Sequence, residues 1–135
     1  MAQKIIVTGA NGGLGTAVTQ KLLNEGYEVH GTIIPGRENL DDIRATFENN
    51  EKLNLTKLDV LNEGEVQNFL YSLDDVYGAV LTVGGFMMKQ LQKTSENDLD
   101  KMINLNFKTA FYFAKNLVDH FKERKKGRIF FISSK

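Results

Sequence analysis

The feature that most constrains this chain is a run of glycines between two segments of different periodicity, Thr8-Gly9-Ala10-Asn11-Gly12-Gly13-Leu14-Gly15. Before it, Lys4 to Thr8 is a short β-branched run suited to a strand buried on both faces. After it, Val18, Leu22 and Leu23 recur at helical spacing as far as Gly26. Glycine at such a junction serves a tight turn, lets backbone approach a pyrophosphate, and allows a helix to pack closely on a strand. The N–H groups and positive dipole end of the helix then face the anion. A glycine triplet alone often merely reverses the chain; the strand before it and the helix after it turn it into a nucleotide-binding expectation. No Gly-Lys-Ser/Thr follows, which excludes a P-loop.

The rest of the chain repeats the alternation. Tyr27 to Ile34 reads as a second strand, stopped by Pro35-Gly36, and Leu40, Ile43 and Phe47 give the next helix its apolar face. Leu53 to Leu58 is a third strand. Asn62 with Glu65 forms a capping box for a helix whose inward stripe is Val66, Phe69, Leu70 and Leu73. Beyond Asp74-Asp75, Val76 to Val83 makes a fourth strand ending at Gly84-Gly85. Ser95 with Asp98 opens the longest helix, 95–126, which is apolar on more than one face and so needs cover on both sides. Arg128 to Ser133 is a fifth strand.

This order predicts an α/β fold: a Rossmann-like, doubly wound parallel sheet of order 3-2-1-4-5 with helices on both faces. Residues 1–135 form one domain in this reading. Its ligand belongs beyond the carboxyl ends of the strands, where the first and fourth diverge. The sheet is incomplete at its C-terminal end, because strands four and five and one side of the long helix lack a covering helix. A longer protein is therefore expected.

Charge narrows the function. Seventeen basic and seventeen acidic residues leave no net charge, so the molecule has no overall electrostatic attraction to nucleic acid or an acidic membrane. The distribution is uneven: four basic and ten acidic residues from Arg37 to Asp75, nine basic and two acidic from Lys101 to Lys135. Lys122, Arg124, Lys125 and Lys126 before Gly127 suit a helix C-terminus. The absence of cysteine excludes disulfides, thiolate zinc sites and cysteine nucleophiles. His30 and His120 read as a strand residue and a helix-surface residue, without metal-ligand spacing. Apolar stretches such as Val80 to Val83 are too short to span a bilayer, and Met1 leads directly into a strand, so a cytoplasmic location is expected. Phe86-Met87-Met88 fits either a substrate mouth or loop anchors on the core.

The glycine run resembles that of the short-chain dehydrogenase/reductase family, Thr-Gly-x-x-x-Gly-x-Gly, matched by Thr8, Gly9, Gly13 and Gly15. Further segments resemble the family in order and spacing. Leu58-Asp59-Val60 matches its adenine-contacting Asp, with a turn Asp as the alternative. Thr82-Val83-Gly84-Gly85 stands where the family has Asn-Asn-Ala-Gly, so both Asn are missing. Met102 to Phe107 resembles the segment holding the catalytic Asn, placing it at Asn106, and Gly127 to Ser134 resembles the strand that ends in the catalytic Ser, placing it at Ser134. A solvated Asn and a pair of turn serines are the alternatives.

The resemblance implies an NAD(P)-dependent oxidoreductase that moves hydride between a nicotinamide cofactor and a small carbonyl or alcohol. Gly9, Asn11, Gly13, Leu14 and Gly15 would meet the pyrophosphate side, Asp59 and Val60 the adenine, and Gly84 and Gly85 the ribose. Ser134 would orient substrate, and Asn106 would support a proton relay. The family's proton donor is the Tyr of Tyr-x-x-x-Lys in the helix after strand five. Here Tyr27, Tyr71, Tyr77 and Tyr112 are followed four residues on by Gly31, Asp75, Leu81 and Asn116. The chain alone is thus expected to bind cofactor and to be inactive. A catalytically incomplete dinucleotide-binding or interaction module is the competing reading, and a homo-oligomer formed through the long helix is a further expectation. Ile33 and Ile34 replace the acid that binds an NAD ribose, and Arg37 could meet a 2'-phosphate, which favours NADP over NAD; no basic residue precedes Gly13 in the loop.

Overall fold

The computed structural model describes residues 2–36 and 38–134. The elements alternate as expected: β1 Lys4–Thr8, α1 Gly13–Asn24, β2 Glu28–Ile33, α2 Leu40–Thr46, β3 Leu53–Lys57, α3 Glu63–Tyr71 and β4 Val76–Leu81. Then come α4 Glu96–Ile103, α5 Thr109–Arg124 and β5 Arg128–Phe131. The strands form one sheet of order β3-β2-β1-β4-β5, parallel at every pairing. β1 sits at its centre, with Val7 level with Gly31 on one side and Val80 on the other.

Successive residues of a strand face opposite sides, so β1 feeds two cores. Ile5 and Val7 pack with Val29, Ile33 and Leu55 of the sheet against Leu23, Ile43 and Phe47 on the α1 and α2 side. Ile6, with Ala79 and Leu81, packs against Val66, Phe69 and Leu70 of α3 and Phe113 and Leu117 of α5. Phe69 and Phe113 meet edge to face, their centroids 6.3 Å apart. Right-handed crossovers explain the split: connections running toward β3 lie on one face, those running toward β5 on the other.

The structure departs from the sequence reading in three places. The long helix is not continuous, because Asn104–Lys108 form a π turn between α4 and α5. Its outer side lies open among the described residues, in line with the sequence reading: Phe113 and Leu117 are buried, whereas Phe107, Phe111 and Val118 are exposed. The helix ends on Lys125, in the left-handed region at φ +57, and not at Gly127. Gly127 is a close-packing residue, since a Cβ there would stand 2.1 Å from Phe121 Cγ. Finally, His120 is a half-buried partner of the sheet, its Nε2 accepting from the Val76 N–H at 3.3 Å. Among the described residues no helix is long and apolar enough to cross a membrane, and no group of three His, Cys, Asp or Glu could hold a metal ion.

Candidate functional site

Because the strands are parallel, their carboxyl ends share one edge of the sheet, and the glycine turn, Asp59, Gly84–Gly85, Asn106 and Ser134 all follow strand ends or flank them. The turn is held from below. The Gly9 N–H donates to Thr32 Oγ1 at 3.2 Å and the Ala10 N–H to the Thr32 carbonyl at 3.1 Å. Ala10 reaches β2 because Gly31 has no side chain; a Cβ there would lie 2.6 Å from the Ala10 Cβ.

The glycines of the turn differ in what they do. Gly9 adopts φ +65, and its carbonyl accepts the Gly12 N–H at 3.0 Å. Gly15 lies against that carbonyl so closely that a Cβ would stand 1.8 Å from its oxygen. Gly13 has nothing within 4 Å of the position its Cβ would take. No packing contact within the protein requires glycine there, and the space beside it is open. α1 starts at this point with Gly12 as N-cap, no side-chain cap and no acidic residue in the first turn. Its dipole and first N–H groups are thus offered to an anion without competition from a side chain.

Thr82 takes over where the family pattern has asparagine. Its N–H donates to Thr8 Oγ1 at 3.1 Å and its hydroxyl donates to the Thr8 carbonyl, a reciprocal pair that locks the end of β4 to the end of β1. The sequence reading missed this role, which depends on the register of β1 against β4.

Asn106 lies within the π turn. Its Oδ1 accepts the Gly85 N–H at 3.0 Å, and its Nδ2 donates to the carbonyls of Gly85 and Met102, each at 3.0 Å. The carboxamide is therefore occupied in holding the backbone beyond β4. A Cβ at Gly84 would come within 2.9 Å of Asn106 Oδ1, and one at Gly85 would stand 2.7 Å from Leu105 Cδ1. The loop that follows is tied down at Lys89, whose ammonium lies 2.6 Å from Asp98 Oδ2. Lys89 and the Ser95 N–H and hydroxyl together hold the Asp98 carboxyl down to about 2. Between these ties Phe86 and Met88 are 83% and 87% exposed, so they do not anchor the loop on the core.

Asp59 forms an Asx turn into α3, its Oδ1 accepting the Leu61 N–H at 3.0 Å, while its neighbour Val60 is buried in the core. Leu14 is half exposed at the start of α1, and Ser134 is exposed just past β5. Asn11 Nδ2 donates to a carboxylate oxygen of Glu38, a residue the sequence reading did not single out. Arg37 lies outside the described residues. An apolar cleft of about 340 Å³ opens beside Asn106, between Phe107, Phe111, Phe131 and Ile132. A larger cavity, about 590 Å³, lies at the opposite edge of the sheet among Lys4, Glu28, Asp75 and Arg124. It is distant from every strand end described above, and Arg124 there is paired with Asp75.

Residues 3–135 match the family model described as short chain dehydrogenase. The chain is 31% identical over 138 residues to an NADP-dependent 3-hydroxy acid dehydrogenase of Shigella flexneri, covering 96% of this chain and 53% of that protein. It is also 31% identical to an acetoacetyl-CoA reductase of a Synechocystis strain, covering 96% of this chain and 52% of that one. Among solved structures, ElxO with NADP bound superposes with a TM-score of 0.92 at 26% identity over 99% of this chain and 56% of its own. The closed form of serine dehydrogenase complexed with NADP+ gives 0.84 at 27% identity, covering 94% and 52%. The chain thus spans about half the length of the relatives it matches.

Proposed function

The chain belongs to the short-chain dehydrogenase family, and from that premise we propose that it supplies the nucleotide-binding part of an NAD(P)-dependent oxidoreductase acting on a small carbonyl or alcohol. The observation that carries this reading is Gly13: open space faces a glycine that no packing contact explains, at a helix start that no side chain caps. A diphosphate fits both facts, for it needs close backbone approach and N–H donors. The residues present therefore suit a dinucleotide.

A bound nicotinamide dinucleotide would supply the hydride donor or acceptor. Gly9, Asn11, Gly13, Leu14 and Gly15 would cradle its diphosphate, Asp59 and Val60 flank the adenine, and Gly84 and Gly85 the nicotinamide ribose. Asn106 acts on this ribose wall as a positioning residue, since its side chain fixes both backbone groups of Gly85. Ser134 would hydrogen-bond the substrate oxygen and hold the reacting carbon toward the nicotinamide. No tyrosine of the chain has a lysine four residues on, so the proton donor to that oxygen is not among these residues. We accordingly expect residues 1–135 to bind cofactor without turning over substrate. The open apolar side of α5 is where we place self-association.

Calorimetric titration with NADH and NADPH, comparing wild type with Gly13→Asp, tests the reading. We expect wild type to bind at least one of the two and the variant neither. Equal binding by both proteins would remove the cradle.

A further inference from the structure

Of the twelve asparagines only Asn11 precedes a glycine, and it does so inside the turn that leads into α1. Each of the other eleven is followed by a residue with a side chain. An asparagine carboxamide is open to attack by the backbone nitrogen of the next residue, and a side chain on that residue obstructs the approach. Glycine offers no obstruction and the widest range of backbone angles. Asn11 is half-buried and Gly12 exposed, and Gly12 precedes the first helical residue, so its N–H lies outside the helical ladder. Two hydrogen bonds restrain the pair: the Gly12 N–H donates to the Gly9 carbonyl at 3.0 Å, and Asn11 Nδ2 donates to a carboxylate oxygen of Glu38. Both belong to a surface turn and are released whenever that turn opens locally.

We propose that Asn11-Gly12 is a site of spontaneous deamidation that disables the cradle while it stands empty. The consequence for binding rests on the nucleotide-binding reading above; the modification itself does not. The Gly12 nitrogen gives up its proton and attacks Asn11 Cγ. The new C–N bond closes a succinimide ring as the Cγ–Nδ2 bond breaks and Nδ2, taking up a proton, leaves as ammonia. Water then adds to either ring carbonyl and opens the ring. The product is an aspartyl residue, or an isoaspartyl residue whose main chain runs through the former side chain. Nothing is oxidised or reduced, and water is the sole co-reactant.

Either product carries a negative charge that the carboxamide lacked. The new carboxylate faces the Glu38 carboxylate to which Nδ2 now donates, and it stands beside the α1 N-terminus where a diphosphate would rest. No basic residue lies between Gly9 and Gly15 to offset it. The isoaspartyl form also lengthens the backbone inside a turn that the Gly12-to-Gly9 bond closes and that Gly15 packs against. A bound dinucleotide would hold the turn closed, so the occupied cradle reacts slowly and the empty one faster.

Ageing the full chain in mildly alkaline buffer, with and without NADH or NADPH, decides it. Trypsin releases residues 5–21, in which Asn11 is the only asparagine, so the mass and isoaspartyl content of this peptide report on the site alone. We expect it to deamidate several-fold faster than any other asparagine-containing peptide, with isoaspartyl as the larger product. Gly12→Ala, whose Cβ would stand 3.4 Å from the Gly9 carbonyl oxygen, should slow the reaction several-fold, and so should a saturating dinucleotide. Aged wild type should lose dinucleotide affinity about tenfold, whereas aged Gly12→Ala keeps the affinity it had when fresh. Peptide 5–21 left intact while others age, or equal rates in wild type and Gly12→Ala, overturns the site. Undiminished affinity in a fully deamidated chain overturns its consequence, and a dinucleotide that binds without slowing the reaction overturns the protection. A fresh chain that binds neither dinucleotide removes the nucleotide reading and the consequence with it, while the peptide still decides the modification.

Discussion

Thr8, Gly13, Gly15 and Thr82 show how differently neighbouring residues of one site can be constrained. A methyl group at Gly15 would collide with the Gly9 carbonyl, so Gly15→Ala should destabilise the fold by about 1–3 kcal/mol in urea unfolding and weaken nucleotide binding as well. The same change at Gly13 meets open space at the start of a helix. Gly13→Ala should therefore leave stability unchanged or raise it by up to about 1 kcal/mol while lowering nucleotide affinity. The two variants separate packing from ligand approach, which the sequence motif presents as one pattern. Elsewhere on α1, Thr19 is fully buried and its hydroxyl has no partner. Thr19→Val, near in volume and free of the orphaned hydroxyl, should stabilise the chain by about 1 kcal/mol on the same measurement. The Thr8–Thr82 pair was not legible beforehand, because each hydroxyl bonds the other residue's backbone, 74 positions away, only once β1 and β4 are in register.

Capping governs the elements, and here the sequence was informative. Ser95 and Asp98 form the full reciprocal box, and Ser95→Ala should cost about 1 kcal/mol. Asp98 adds a pH dependence. Its folded pKa of about 2 lies below the ordinary 3.8, so its stabilising contribution is complete above the ordinary value and is lost as pH falls from about 4 toward 2. Lys89→Ala removes the largest cause of the depression, and stability measured across that window should fall less steeply in this variant than in wild type. The π turn was invisible because one extra helical residue leaves the apolar spacing on either side unbroken. The backbone bond from the Thr109 N–H to the Asn104 carbonyl, five residues back, reveals it. The helix end was misplaced for a related reason: Gly127 is the expected terminator, but its smallness serves Phe121, and Lys125 makes the turn.

At the level of the molecule, strand order was legible because short parallel strands joined by helices admit few right-handed arrangements. The Asn11–Glu38 contact was not, since it is made by a loop whose path no periodicity fixes. Phe107 and Phe111 stack with centroids 6.2 Å apart on the exposed side of the long helix. Sedimentation over a range of concentrations should show reversible association that Phe107→Ser with Phe111→Ser weakens; a monomer throughout would dismiss that interface. β5 is the least sheltered part of the sheet, with Phe130 55% and Phe131 60% exposed on its two faces, whereas Ile6 and Val7 of β1 are fully enclosed. Amide deuteration should accordingly sweep inward from the β5 rim, and gentle heating should unzip the sheet in the same sequence, with the central strand exchanging last.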